Sequence, residues 1–403
     1  MKRFFTLLVL TLFASSLFAQ SVNPNRGSIK QKKYLEKIPY QNIDGKLVVP
    51  VTINGKTYNF ILDTGAALTI SDKLFKELNP QIIGHTEIGD ISSRKKEMKF
   101  ILLPELHLQG ITFINTPACV LHEESSDFLN LLDCFKIDGI IGSNELRNSV
   151  IQFDERNRHL LIANNIFQIL KDKEGKKVGK WQKMELTSLS NPLIVIGFQN
   201  EQKIGDRVEF DTGSSEFYTM SMHTYNWLNG RANVTKIAEG EGSFAWGLHG
   251  MLENKQHLLL NIPEFYVNQM IFNDVIVTTN EISLLGTQLL QYGKVTLDYK
   301  EKRFYFDPFD NINTDELSKR PWALFPSFQN EKLVVGIIWD KTLESQINLG
   351  DEILSIDGLF LENMHPCEYM KLDFSNESYT EKSILELRDI KTGEVKKVEI
   401  KRM

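Results

Sequence analysis

Two stretches of the sequence repeat one pattern: FILDTGA at residues 60–66 and VEFDTGS at residues 208–214. Each is a short, mostly apolar run that leads into an acid, a threonine and a glycine. A carboxylate at the end of a strand is easily exposed and aimed, so the two copies predict that Asp63 and Asp211 meet across a pseudo-two-fold axis. An isolated Asp-Thr-Gly occurs in many loops as an Asx turn. The surroundings of the two copies therefore decide the interpretation.

Those surroundings repeat in the same order. Before the first copy, the run KLVVPVTI (46–53) and the turn residues Asn54-Gly55 predict a strand and a hairpin, with 58–62 as the next strand. Before the second copy, PLIVIGF (192–198) and a polar stretch precede residues 207–210 in the same way. Both acids therefore lie at the end of the second strand of a hairpin.

The sequence downstream of each acid also repeats. An apolar run closed by glycine follows at a similar distance in both copies, GIIGSNEL at 139–146 and SLLGTQLL at 283–290. A further hairpin comes after each run, at 150–163 and at 295–307. This long period indicates an internal duplication into two lobes rather than a solenoid.

With these four elements in order, the chain resembles the aspartic proteases of the pepsin and retropepsin type over roughly residues 40 to 309. The resemblance implies a mainly β, bilobal acid protease fold of two pseudo-symmetric lobes. It also implies hydrolysis of peptide bonds by a water molecule held between Asp63 and Asp211. Two neighbouring carboxylates share one proton, so one accepts a proton while the other donates one.

The resemblance assigns supporting roles to the rest of the motif. Thr64 and Thr212 are expected to cross-brace the two loops. Gly65 and Gly213 let the backbone approach the carboxylates and donate N–H groups to them. Ser214 places a hydroxyl beside the second acid, where the first copy has Ala66, so the two acids are not expected to be equivalent.

The same family covers its cleft with a β-hairpin flap. Residues 84–98 and 238–251 lie at the matching places, and the second stretch is rich in glycine with Phe244 and Trp246. An ordinary flexible surface hairpin fits the composition equally well.

The first 19 residues have the character of a signal peptide. Lys2 and Arg3 precede an apolar run and then small residues ending at Ala19. The run is short for a bilayer span, although an uncleaved anchor is the alternative. We expect an exported protein that is periplasmic, at the cell surface or secreted, with no stable membrane span.

Length and composition set the domain organisation. The chain has 403 residues, 42% hydrophobic content and 25 Phe, mostly in strand-like runs, which favours a mainly β protein of two to three domains. The predicted units are a first lobe at 20–170, a linker at 171–185, a second lobe at 186–309 and a C-terminal domain at 320–403. The net charge of −6 argues against nucleic acid as a partner.

The cysteines are Cys119, Cys134 and Cys367. In an oxidising compartment Cys119 and Cys134 can close a disulfide within the first lobe, worth about 3 kcal/mol; buried thiols are the alternative. Neither the cysteines nor the eight histidines show a metal-ligand spacing, so we expect no metal and no cofactor.

Beyond a polar break at 310–319, the stretch LGDEILSIDG (349–358) resembles a PDZ domain, which binds extended peptides by strand addition. The loop that offers N–H groups to a terminal carboxylate in that family corresponds to residues 322–326, which here lack glycine and contain Pro326. A self-docking structural domain is therefore an alternative to a peptide ligand.

Two functions remain open from sequence. The first is an exported aspartic endopeptidase, active as a monomer on peptide or protein substrates. The second is a catalytically silent peptide-binding protein on the protease fold. Because both Asp-Thr-Gly motifs are intact, the sequence favours the enzyme.

Overall fold

The computed structural model describes residues 22–89, 95–121, 134–170, 180–198, 204–228, 230–243, 246–247, 250–251, 253–329, 332–369 and 381–403. The predicted signal peptide lies outside these ranges. The described chain is mainly β, as expected from the sequence. Its α-helices are Asp72–Leu78, Ser143–Leu146, Met222–Leu228 and Pro366–Tyr369. Its 3₁₀ turns are Glu155–Asn157, Ile166–Gln168, Thr287–Gln291, Asp315–Ser318 and Lys341–Leu343.

The first lobe is built on a sheet of nine described strands. The predicted hairpin pairs Lys46–Ile53 with Lys56–Asp63, and its turn residues Asn54 and Gly55 both have positive φ angles, as a tight hairpin turn requires. The other strands of this sheet are Ser28–Ile29, Gln41–Ile43, Thr69–Ile70, Gln81–Gly89, Lys95–Leu108, Ile111–Val120 and Gly139–Gly142.

The second lobe has an equivalent hairpin, in which Pro192–Phe198 pairs with Gly205–Phe210. Its sheet runs on into the C-terminal region because Thr235–Gly242 pairs with Lys332–Ile338. The remaining strands of this sheet are Glu185–Leu186, Tyr218–Ser221, Lys255–Val267, Met270–Asn280, Leu284–Leu285, Leu324–Gln329, Glu352–Ile356, Leu359–Phe360, Lys382–Arg388 and Val395–Lys401. A separate two-stranded ribbon pairs Trp246–Gly247 with Gly250–Met251.

A six-stranded sheet joins the two lobes. The hairpin after each glycine run contributes to it, and the two hairpins meet where Val150–Asp154 pairs with Gly293–Asp298. The flanking strands are Leu35–Pro39, His159–Ala163, Trp181–Lys183 and Arg303–Pro308. Residues 181–183 therefore belong to a sheet, although the sequence predicted an irregular linker there. The Arg303 guanidinium lies over the Trp181 indole, a cation–π contact between two paired strands of this sheet.

The strand connections around the two acids are the same. In the first lobe the strand ending at Asp63 runs parallel to Gly139–Gly142, which pairs antiparallel with Thr69–Ile70. In the second lobe Gly205–Phe210 runs parallel to Leu284–Leu285, which pairs antiparallel with Tyr218–Ser221. Each acid therefore leaves its sheet beside a buried glycine run.

One apolar core lies beneath both acids and spans the lobes. Phe210, which directly precedes Asp211, is fully buried, with its ring 6.1 Å from Phe153 of the first lobe and 5.8 Å from Phe304 of the joining sheet. These edge-on aromatic contacts couple the lobes rigidly below the site.

The C-terminal unit has its own core and shares a second apolar cluster with the second lobe. Its buried side chains include Val335, Leu387 and Val398, while Ile337 and Trp339 join Ala238 and Leu259 of the second lobe in a shared cluster. The helix Pro366–Tyr369 also belongs to this unit.

The sequence left a Cys119–Cys134 disulfide and buried thiols open as alternatives, and the described chain does not contain that disulfide. Cys134 is bonded to Cys367 in the C-terminal unit, with the Cα atoms 5.1 Å apart, and Cys119 is a free, buried thiol. Cys119 lies inside the strand Ile111–Val120, where its side chain is part of an apolar cluster. Sequence proximity could not reveal the partner because residues 134 and 367 are brought together by the packing of the C-terminal unit.

Among the described residues, no helix is both long and apolar enough to cross a bilayer.

Candidate active site

Asp63 and Asp211 lie side by side where the lobes meet. Each follows the inner strand of its hairpin; Asp63 is half-buried and Asp211 is buried. Within each motif the glycine N–H donates to the acid two residues earlier, from Gly65 to Asp63 and from Gly213 to Asp211, both at 2.7 Å. The inner oxygen of each carboxylate is thereby held in place.

The two threonines link the motifs. The Thr64 N–H donates to the Thr212 hydroxyl and the Thr212 N–H donates to the Thr64 hydroxyl, both at 3.0 Å. Each hydroxyl in turn donates across the interface, from Thr64 to the Phe210 carbonyl at 2.5 Å and from Thr212 to the Leu62 carbonyl at 2.8 Å. Both threonines are fully buried, so these four bonds fix the relative position of the two acids.

Glycine is required at positions 65 and 213 because the carboxylate of the other motif lies too close for a side chain. A Cβ atom on Gly65 would lie 2.5 Å from the Asp211 Oδ1, and one on Gly213 would lie 2.5 Å from the Asp63 Oδ2. Any side chain there would push the acids apart. The geometry thus shows directly that each carboxylate packs against the motif of the other lobe.

Hydrogen bonds from the downstream glycine run of each lobe support its motif. The Ser143 N–H donates to the Ala66 carbonyl and its hydroxyl donates to the Thr64 carbonyl. In the second lobe the Thr287 N–H and hydroxyl both donate to the Ser214 carbonyl. Ser143 and Thr287 each follow the glycine of the downstream run, which explains why that run accompanies the motif.

The electrostatics of the pair fit a shared proton. Burial raises the pKa of Asp63 well above its usual value, and the negative charge of Asp211 and a hydrogen bond with Asp211 raise it further. The Gly65 N–H and the Lys46 ammonium act in the opposite direction. Two carboxyl groups in such contact cannot both ionise at low cost, so one proton is retained between them.

Lys46 is a site residue that the sequence did not reveal. Its ammonium donates to the carbonyl oxygen of Gly213 from the opposite lobe. It follows the turn residue Gly45, which has a φ of 77° and whose Cβ, if present, would lie 2.6 Å from the Ser215 Cβ. This turn of the first lobe therefore packs against the second motif, where the Ser215 hydroxyl donates to the Asp44 carbonyl.

Asn191 and Glu209 form the matching contact from the second lobe. The Asn191 amide nitrogen donates at 2.8 Å both to the Gly65 carbonyl and to the Glu209 carboxylate. Glu209 interrupts the apolar run before Asp211, and that charged residue within a predicted strand was the available signal. Asn191 carries no comparable signal in the sequence.

The Ser214 hydroxyl does not make the contact with the second acid that the resemblance implies, as far as the described bonds show. Among the described bonds, none joins the Ser214 hydroxyl to a carboxylate; its N–H donates to the Asp211 carbonyl, as the Ala66 N–H does to that of Asp63.

The predicted flap at 84–98 is a hairpin of Gln81–Gly89 and Lys95–Leu108, with 90–94 outside the described residues. The stretch at 238–251 is also partly outside them.

Within the described chain, the side chains of Cys134, His365 and Cys367 form one group of potential metal ligands whose donor atoms lie within 4.8 Å of one another. Because the two sulfur atoms are bonded to each other, they are not available as thiolate ligands in this state.

The fold and the paired acids are aspartic-protease-like. Residues 49–144 match the family model described as aspartyl protease. No curated protein matches the chain.

Two solved structures are similar to it. Basic 7S globulin from soybean is 10% identical, with 71% of this chain and 99% of that chain covered and a TM-score of 0.41. A retropepsin-like aspartic protease from Rickettsia conorii is 17% identical, with 33% of this chain and 94% of that chain covered and a TM-score of 0.24.

Proposed function

We propose that the protein is an aspartic-type endopeptidase that hydrolyses peptide bonds with a water molecule activated between Asp63 and Asp211. The observation that carries this proposal is the reciprocal packing of each carboxylate against the other motif's glycine, locked by the threonine bonds. This arrangement holds two acids in contact, which is the geometry that retains one shared proton.

The reaction follows from that proton. The ionised carboxylate accepts a proton from water as the water oxygen bonds to the peptide carbonyl carbon, while the protonated carboxyl donates its proton to the carbonyl oxygen. The resulting tetrahedral diol collapses when one hydroxyl proton returns to the pair and the pair protonates the amide nitrogen. The C–N bond then breaks, giving an acid and an amine. The raised pKa of Asp63, caused first by burial and then by the charge of Asp211, supports one proton retained by the pair.

Several further features belong to the same proposal. The matching strand connections around the two acids support an origin by internal duplication. Both halves of the site come from one chain, so we propose a monomeric enzyme whose rate per molecule is unchanged on dilution. The predicted signal peptide supports export.

The C-terminal unit is proposed as a PDZ-like docking module. The strand Leu324–Gln329 pairs with Lys332–Ile338 on one side only, as far as the described residues show, leaving an edge for an extended peptide. The Ala323 N–H is already bonded to the Lys401 carbonyl, so a terminal carboxylate is not the expected ligand feature. The proposed ligand is an internal, extended segment of a protein substrate.

The test is turnover of a broad peptide library by the wild type, Asp63→Asn, Asp211→Asn, the double variant and the exposed control Asp310→Asn. We expect each dyad variant to lose turnover, the double variant to be no worse than either single one, and the control to match the wild type. A statine-type inhibitor should block the wild type. Substantial turnover by either single variant would contradict the paired mechanism, and peptide binding without any turnover would favour the silent binding protein.

A further inference from the structure

Glu209 is an acid on the same face of its strand as Asp211. Alternate residues of a strand share a face, and the pairing of the strand continues through Asp211, whose N–H donates to the Leu285 carbonyl. The matching position in the first lobe is Ile61, a buried apolar residue. The two halves of the site therefore differ in charge immediately beside the carboxylate pair.

The described surroundings of Glu209 supply negative charge. Burial raises its pKa well above the usual value, and the charges of Asp211 and Asp63 raise it further, against a hydrogen bond from Asn191. Among the described residues, no Lys or Arg forms an ion pair with it. The residue is only half-buried, so part of it remains open to solvent.

Asn191 adds a second acceptor at the same place. Its side-chain nitrogen is committed to the Gly65 carbonyl and to Glu209, which fixes the orientation of the amide. Among the described residues the Asn191 Oδ1 has no hydrogen-bond partner, and it is buried, as is the residue as a whole at 7% exposure. A buried acceptor left unpaired is costly, so a donor brought by a ligand would be favourable there.

We propose that Glu209 and Asn191 line a subsite for a lysine or arginine side chain next to the scissile peptide bond. Such a side chain brings the missing positive charge and several N–H donors, which match one carboxylate and one amide oxygen. The inference rests on the proposed function because it names the substrate class of the same site. Because the first lobe has Ile61 at the matching position, the basic residue lies on the Glu209 side of the scissile bond only.

The experiment compares pairs of quenched fluorescent peptides that differ only in lysine against norleucine at the residues flanking the scissile bond. The measured quantity is the ratio of kcat/KM within a pair, for the wild type, Glu209→Gln and the exposed control Glu253→Gln. Any effect of Glu209 on the proton of the carboxylate pair is common to both peptides and cancels in the ratio. The glutamine keeps the size of the side chain and an acceptor for Asn191, so the fold is expected to be retained.

We expect the wild type and Glu253→Gln to favour the lysine peptide at one flanking position by roughly tenfold or more, the range typical of a hydrogen bond to a charged group. The ratio should fall toward one in Glu209→Gln. Equal rates on both peptides in the wild type, or an unchanged ratio in Glu209→Gln, would overturn the subsite and leave Glu209 as a tether for Asn191.

A binding experiment distinguishes failure of the subsite from failure of the proposed function. The same peptides are titrated into Asp63→Asn and into Asp63→Asn/Glu209→Gln by calorimetry. A lysine preference that depends on Glu209 without any turnover by the wild type would refute the protease proposal and keep the subsite. Binding without a lysine preference, or no binding, would refute the subsite whatever the turnover.

Discussion

Glu145 shows how the tertiary structure changes an ordinary acid. It lies in the helix Ser143–Leu146, every residue of which is buried, and it is 1% exposed. Burial raises the pKa of Glu145 to about 7, against the nearby charge of Arg147 and a hydrogen bond from Thr116. The group is therefore largely protonated in the folded protein over a range where it ionises in the unfolded chain.

This difference gives a pH-dependent stability. Between the unfolded pKa of 4.5 and the folded pKa of about 7, the folded state holds more protons than the unfolded state, so the free energy of unfolding falls as pH rises. The loss attributable to this group is about 3 kcal/mol across that window. Glu145→Gln cannot ionise and should flatten the profile, measured by urea unfolding at pH 5 and pH 8. The exposed control Glu253→Gln should keep the wild-type slope; parallel profiles for all three proteins would contradict the assignment.

The motif loops depend on hydroxyl groups that no apolar side chain can replace. The Thr64 hydroxyl donates to the Phe210 carbonyl and accepts from the Thr212 N–H, both of them across the lobe interface. Removing it leaves a buried carbonyl and a buried N–H without their partners.

Thr64→Val keeps the shape and removes the hydroxyl, so we expect a loss of roughly 2 kcal/mol or more in the free energy of unfolding. Peptidase activity should fall with it, since the carboxylates lose their fixed separation. Thr64→Ser keeps the hydroxyl and serves as the matched control, with activity near that of the wild type. If the valine and serine variants behaved alike in unfolding and kinetics, the methyl group rather than the hydroxyl bonds would hold the loops.

The disulfide connects the first lobe to the C-terminal unit. Cys134 precedes the strand Gly139–Gly142, and Cys367 lies in the helix Pro366–Tyr369. A cross-link over so long a stretch of chain restricts the unfolded state strongly.

Titration of thiols in denaturant without reductant should therefore find one per chain, Cys119, rather than three. Reduction should lower the free energy of unfolding by about 2 to 4 kcal/mol, measured as a lower Tm. The double variant Cys134→Ser/Cys367→Ser should have the lower Tm already and should not respond to reductant. Three titratable thiols in the oxidised protein would show that the bond does not form.

The whole molecule also depends on the C-terminal unit through packing. Gly242 pairs with Ile337 across the junction, and the fully buried Ile337 shares a cluster with Ala238 and Leu259 of the second lobe. The polar break at 310–319 is therefore not the only connection, even though the sequence predicts an independent domain beyond it.

A protein ending at Asp310 should consequently unfold at a lower temperature than the full-length variant Cys134→Ser/Cys367→Ser, because Ala238 and Leu259 become exposed and neither protein has the disulfide. Scanning calorimetry gives the measurement. Ile337→Ala in the full chain is the matched control, with an expected loss of about 2 to 5 kcal/mol from the cavity alone. If the truncated protein kept the Tm of the second lobe, residues 320–403 would be an independent docking module as the sequence predicts.

The sequence by itself determined the local elements and the identity of the two acids. The strands Lys46–Ile53 and Pro192–Phe198 were predicted with the bounds they have, because apolar runs closed by turn residues are a local signal. The recurrence of that signal around Asp63 and Asp211 predicted two lobes that share one site.

Only the tertiary structure decided which residues far apart in the chain lie together. Cys134 bonds to Cys367, Lys46 reaches Gly213, and Asn191 bridges Gly65 to Glu209, all through contacts between residues far apart in the chain. Side chains of these types occur throughout the sequence, and their local surroundings do not distinguish them. Their roles arise from the packing of one lobe against the other, which sets the burial and the partners of each group.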